Sequence, residues 1–333
     1  MKITKPIQLK NNYLKIPTAG VIFFSLLLAG LAFYSGISWA RTKGLTSTTN
    51  TTTNKATATF TATKSSKPEL KFFVMSFCPY GNQMEDVLRP VYDLLKNKVA
   101  IVPHYIFDKV SDLNSYCASR SGDPNQCDTY VKNGYFADSA TCKKAITANL
   151  ATCKDEKQYL KTSNGAMYAS LHGRQEANQD VRELCAWNMV GDDKTSWWNF
   201  VGNVNKNCTQ ANADTCWQNQ AQQAGLDANK ITDCFNQNAV NLVENEIALT
   251  TKYKVSGSPT VLINDVAFPP ETAYTNDNTG SLAIGSKVAT QDKYRTPNVV
   301  KEAICSAFSK TPAECKTVLN ELSGAAPAAG GCN

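Results

Sequence analysis

The longest apolar block is Ile16 to Ala40, IPTAGVIFFSLLLAGLAFYSGISWA, which holds no charged residue. A helix needs about 20 such residues to cross a bilayer, so the block predicts one transmembrane anchor. Four lysines precede it, and Tyr34 and Trp39 stand near its far end. The positive-inside rule then keeps residues 1–15 cytoplasmic and puts everything after residue 40 outside the cytoplasm. Ser38-Trp39-Ala40 also resembles a small-x-small cleavage site. A cleaved signal peptide, which would release a secreted protein, is therefore the competing reading. Residues 41–67 are dominated by Thr, Ser, Ala and Asn. They read as a flexible linker with too little apolar surface to build a core.

The folded part is expected over 68–322. Leu70 to Met75 (LKFFVM) is a short apolar run suited to a buried strand. Beyond Ser76-Phe77-Cys78-Pro79-Tyr80-Gly81, the residues Met84, Val87, Leu88, Val91, Leu94 and Leu95 recur at helical spacing. Pro90 falls inside that pattern and should kink the helix. Val99 to Phe107 reads as a second strand, completing a βαβ unit. Much later, Ile231 to Lys252 is helical in pattern and leads to Gly257-Ser258-Pro259-Thr260 and the apolar run Val261-Leu262-Ile263. Asn264-Asp265 then turns the chain into Val266-Ala267-Phe268. Pro297 to Phe308 is a candidate last helix. Residues 108–230, rich in Cys, Asn and Gln, look like a large, mainly helical insertion. Residues 323–333, rich in Gly, Ala and Pro, read as a mobile tail ending in Cys332-Asn333. The fold class is α/β.

Charge and cysteine content narrow the function. The net charge of +6 misleads, because residues 1–67 hold nine Lys/Arg and no acid. The remaining 25 basic residues face all 28 acidic ones, so the folded part is mildly acidic. That argues against nucleic acid as a partner, which would need a basic stripe. There are 12 Cys, no C-x-x-C pair and only two His, His104 and His172. A structural metal site does not follow from that set, and nothing implies a cofactor. An exported, Cys-rich domain is better read as stapled by disulfides. The candidates are Cys117, Cys127, Cys142, Cys153, Cys185, Cys208, Cys216 and Cys234, an even set of eight, with Cys305 and Cys315 able to pair near the C-terminus. Cys78 and Cys332 are left over.

Strand, Phe77-Cys78-Pro79-Tyr80, helix, and later Gly257-Ser258-Pro259-Thr260 before a strand, together resemble the thioredoxin superfamily. The large insertion resembles its DsbA branch. The resemblance implies that Cys78 is the nucleophile and that Pro259 is a cis-proline facing it. Pro79, Tyr80, Gly81 and Ser258 would then support the site. Ser170 to Cys185 is also similar to the signature C-Q-H-G-x2-E-C-x2-N-x4-C of the gamma-interferon-inducible lysosomal thiol reductase family. His172, Gly173, Glu176 and Cys185 stand in register, and Ser170 and Ala177 replace the signature's first two Cys. The main departure is Gly81, which stands where the family's reactive pair has its second Cys.

Cys78 at a helix N-terminus should ionise readily, since free N–H groups and the helix dipole favour a thiolate. A thiolate attacks a disulfide to form a mixed disulfide. With Gly81 unable to resolve it, resolution falls to an external thiol of the glutathione type, to Cys332, or to a Cys of the insertion. The alternative is that Cys78 is half of a structural disulfide. Two functions follow. One is a membrane-anchored, extracytoplasmic thiol–disulfide oxidoreductase acting on protein or peptide thiols and disulfides, with a membrane redox partner or a small thiol renewing it. The other is a redox-inactive thioredoxin-like binding or chaperone module.

Overall fold

The computed structural model describes residues 57–162, 164–270, 281–290, 296–320 and Cys332. The expected anchor at 16–40, residues 1–15 before it and residues 41–56 of the expected linker lie outside that range. Among the described residues no helix is long and apolar enough to cross a membrane.

The segment read as linker is folded at its end. Thr57–Phe60 is a strand, β1. Phe60 is buried and meets Phe268 edge-on at 5.2 Å between ring centroids. Thr is β-branched and suits a strand once one aromatic anchor gives it a surface to cover; the low-complexity composition hid that anchor.

The central sheet holds four strands. Glu69–Val74 is β2, the apolar run foreseen as a buried strand. It leads into helix α1, Pro79–Leu95, which contains Pro90 without ending there. The chain returns as β3, Ala100–Tyr105, parallel to β2. Strands β4 (Asp108–Val110), β5 (Leu160–Lys161) and β6 (Met167–Ala169) form a separate small sheet in the order β4-β6-β5. Helices fill the rest of the long segment before the central sheet resumes. They are α2 (Leu113–Ser121), α3 (Cys127–Lys132), α4 (Ser139–Cys153), α5 (Arg174–Met189), α6 (Thr195–Asn207), α7 (Ala213–Gln223) and α8 (Ala228–Tyr253). Strand β7, Thr260–Ile263, runs antiparallel to β2, and β8, Val266–Ala267, pairs with β7. The hairpin between them puts Asn264 and Asp265 at φ 49° and 63°, the left-handed pair a tight two-residue turn needs. The central order is β3-β2-β7-β8. Strands β9 (Ser281–Ile284) and β10 (Lys287–Thr290) complete a third sheet with β1. Helix α9, Pro297–Ser306, packs beside α1. The βαβ opening, the later hairpin and the last helix stand where the sequence pattern put them.

The core explains why these elements hold. In β2, Leu70, Phe72, Phe73 and Val74 have no exposed surface, as expected for a strand covered on both faces. Phe72 meets Trp197 and Trp198 of α6, while Phe73 stacks on His104 and meets Tyr253 of α8. Five bridges staple the helical segment and the C-terminus: Cys117–Cys153, Cys127–Cys142, Cys185–Cys234, Cys208–Cys216 and Cys305–Cys315. The Cys185–Cys234 bond ties α5 to α8. Closing a loop such as 127–142 contributes about 3 kcal/mol in the chain-entropy picture.

Candidate active site

Cys78 is the N-cap of α1, in extended backbone conformation, and its Sγ accepts from the Gly81 N–H at 3.4 Å. Pro79 occupies the first helical position, where a missing N–H costs nothing. The Cys78 N–H closes a tight turn onto Met75 O at 3.0 Å. Opposite stands Ser258–Pro259, joined by a cis peptide bond. The Cys78 Sγ lies 3.6 Å from Ser258 O. The structure thus brings together Cys78, Pro79, Gly81, Ser258 and Pro259. Tyr80 lies in the same apolar cluster, with Met75, Ile106 and Leu171 around the sulfur.

The sulfur is not a free thiol. Cys78 has no exposed surface and is bonded to Cys332. Cys332, from the tail expected to be mobile, is itself only 7% exposed. Two backbone hydrogen bonds hold it to Ser258, at 2.7 Å from the Ser258 N–H and 2.8 Å from its own N–H. The covalent bond and this strand-like pairing hold Cys332 itself; the rest of the expected tail from residue 323 on lies outside the described residues.

Gly81 has a steric reason. A Cβ there would lie 2.6 Å from Ser258 Oγ, 3.3 Å from Val74 Cβ and 3.4 Å from Met75 O. Ser258 is fully buried and its hydroxyl has no partner, so it has no open space to move into. Gly81→Ala should therefore cost about 1–3 kcal/mol by overpacking. In a Ser258→Ala background the same change should become neutral or better, because Ala is the stronger helix former. Urea titration of the four proteins with disulfides intact measures that coupling; equal costs in both backgrounds would refute the clash.

The turn before Cys78 is held by carboxylates of α5. The Ser76 N–H and Oγ both donate to Asp180 Oδ1, at 2.9 and 2.5 Å. The Phe77 N–H donates to Glu176 Oε1 at 2.9 Å. Glu176 also accepts from Ser170 Oγ at 2.7 Å and the His172 N–H at 2.8 Å, and its Oε1 lies 2.7 Å from His172 Nδ1. Gly173, at φ 93°, starts α5 directly after His172; that conformation suits only a residue without Cβ. Burial opposes charge on both members of the pair, yet their mutual hydrogen bond and attraction prevail. His172 is held above its ordinary value and Glu176 below. Ser170 and Ala177, at the positions of two Cys in the reductase signature, are respectively a donor to Glu176 and a fully buried packing residue.

Sequence reasoning missed Asp180 of this clamp and two further acids, Glu183 and Glu85. Asp180 and Glu183 of α5 and Glu85 of α1 are buried. Burial, then the neighbouring carboxylates, pushes Asp180 and Glu85 well up, and burial pushes Glu183 to about 7. Glu183 accepts from Tyr105 OH and Gln179 Nε2, and Glu85 from Asn205 Nδ2. Glu176, Asp180 and Glu183 recur at helical spacing, a signal visible in the sequence but one that ordinarily marks a solvated helix face.

A family profile described as the vacuolar sorting receptor thioredoxin-like domain matches residues 96–276. That range holds α5 and Pro259 and begins after Cys78. No curated protein matches the sequence. Among solved structures, the reduced DsbG disulfide oxidoreductase of Mycobacterium tuberculosis is similar at 12% identity and TM-score 0.39, over 75% of this chain and 82% of that one. Oxidised DsbA of the same organism is similar at 12% and 0.39, over 75% and 87%. The alpha-DsbA2 thiol–disulfide exchange protein of Wolbachia pipientis is similar at 10% and 0.35, over 74% and 88%. The functional reading rests on the site itself. The profile spans more than half of the chain, which therefore belongs to the vacuolar sorting receptor thioredoxin-like domain family.

Proposed function

We propose that the chain is a thiol–disulfide oxidoreductase of protein or peptide substrates, with Cys78 Sγ as the reacting atom. The observation that carries this is the position of that sulfur: capping α1, receiving the Gly81 N–H, and facing the cis Ser258–Pro259 step. A reduced Cys78 there is stabilised as thiolate by the helix terminus. The edge at Ser258, which pairs with the backbone of Cys332 in this structure, suits an extended substrate segment, by strand addition. The six disulfides suit an oxidising compartment. With residues 16–40 as anchor, the domain works outside the cytoplasm, tethered to the membrane, and is renewed by a membrane redox partner or a glutathione-type thiol. Within the superfamily the DsbA-like insertion and the reductase-like His172-Gly173…Glu176 motif fit this reading, with Glu176 and His172 as positioning residues.

The test is turnover of insulin or scrambled ribonuclease in glutathione buffer. Cys78→Ser should lose turnover entirely, and unchanged activity would sink the assignment. The redox-inactive binding module remains the second reading, favoured by the full burial of Cys78 in a disulfide. Alkylation with mass mapping separates the two. If the Cys78–Cys332 bridge opens under mild reductant before the other five, exchange is supported; if it resists as they do, binding is.

A further inference from the structure

We infer that Cys332 is the resolving cysteine of this site, delivered by the C-terminal tail in the place of a substrate strand. This rests on Cys78 being the reacting sulfur.

Three observations converge on it. First, no other cysteine can serve, since the remaining ten are paired among themselves. Second, the usual local position is closed: Ser258 Oγ occupies the space a side chain at residue 81 would need. Third, Cys332 is docked and not merely cross-linked. Its backbone N–H and C=O both pair with Ser258, directly across from Cys78, and it shares the apolar cluster of Met75, Tyr80, Ile106 and Leu171. A structural staple needs only the sulfur bond. The two backbone bonds are what an extended peptide would make there, and they aim one particular sulfur at Cys78.

The cycle balances. In the dithiol form the Cys78 thiolate attacks a substrate disulfide; the Cys78–substrate bond forms and the substrate S–S bond breaks, expelling one substrate thiolate. The Cys332 thiolate then attacks Cys78 Sγ. The Cys78–Cys332 bond forms, the mixed disulfide breaks, and the second substrate thiolate leaves. Two electrons and two protons pass from protein to substrate, and two small-molecule thiols, themselves oxidised to a disulfide, restore the dithiol. The reverse sequence oxidises a substrate dithiol. In the bridged form the backbone of Cys332 occupies the edge at Ser258, so a substrate strand pairs there only in exchange for Cys332.

The probe is a peptide cysteine activated as its mixed disulfide with thionitrobenzoate, which expels a coloured thiolate when attacked. The wild-type full chain is first opened at Cys78–Cys332 with limiting phosphine, the other bridges being verified by mass. It should expel one coloured thiolate, release the peptide, and end with Cys78–Cys332 re-formed. Cys332→Ser should expel the same thiolate but hold the peptide on Cys78. Its release should slow by roughly tenfold or more, because a tethered thiol acts at an effective concentration of the order of mM. Peptide release by Cys332→Ser at the wild-type rate would overturn the inference and leave Cys78 as the reacting sulfur. Colour release by the Cys78→Ser/Cys332→Ser double variant equal to that of Cys332→Ser would overturn the underlying assignment instead.

Discussion

Replacing Glu176 by Ala is expected to destabilise the folded domain by roughly 3–5 kcal/mol, the range for breaking a buried ion pair on one side. Glu176 is completely buried. It accepts from the Phe77 N–H, the His172 N–H and Ser170 Oγ, and it pairs with His172. Alanine leaves two backbone donors, a hydroxyl and an imidazolium without an acceptor, while Glu176→Gln keeps an acceptor for some of them and should cost less. The effect depends on pH with opposite signs at its two ends. Glu176 is depressed in the fold, so its contribution is present above its unfolded value and fades as pH falls through the folded one. His172 is raised, so its contribution is present below its unfolded value and fades as pH rises through the folded one. The gap between wild type and Glu176→Ala should therefore be widest between about pH 4.5 and 6.5. Urea unfolding across that span and beyond it measures the gap. A gap still widening above neutrality would show that His172 is not the partner. Because Phe77 immediately precedes Cys78, the variant should also react more slowly at Cys78.

Glu183→Gln is expected to do the opposite and stabilise the protein near pH 8, by on the order of 3 kcal/mol for a displacement from 4.5 to about 7. The sign follows from burial. A carboxyl raised in the fold holds a proton that the unfolded chain gives up, so folding stability falls as pH rises from about 4.5 towards 7. Gln carries no charge and removes that loss. It also preserves an acceptor for the Tyr105 hydroxyl and adds a donor beside Gln179, whose Oε1 has no partner. Asp180 and Glu85 are raised in the same direction, partly by the charge of their neighbours, so neutralising Glu183 relieves them too. At pH 4 the two proteins should be about equally stable. A Glu183→Gln protein weaker than wild type at pH 8 would mean that the ionised form is the one the fold accommodates.

Much of the frame is legible in the chain. The run LKFFVM, the helical spacing after Cys78 and the Asn-Asp turn before Val266 are local patterns, and local sterics and burial decide them. Cys78-Pro79 at a helix start and Ser258-Pro259 before a strand are likewise short-range features. By contrast, Phe60 reads as a stray aromatic in a Thr-rich tether until Phe268, more than two hundred residues away, supplies its partner. The α5 acids carry the same lesson: their spacing suits a solvated stripe, but in the fold they are buried, with partners in the turn before Cys78 and in Tyr105 of β3.

The sequence alone determined the strand–Cys–helix opening and the Ser-Pro step before a strand, because each depends on neighbours a few residues apart, and its cysteine richness suits an oxidising compartment; that the proline step faces Cys78 came only as what the resemblance implies. Only the tertiary structure decided that Cys78 meets Cys332, that Ser258 closes the space at Gly81, and that four carboxylates lie buried beneath the site. Those facts join positions up to 254 residues apart, and no periodicity or spacing encodes which distant surfaces the folded chain presses together.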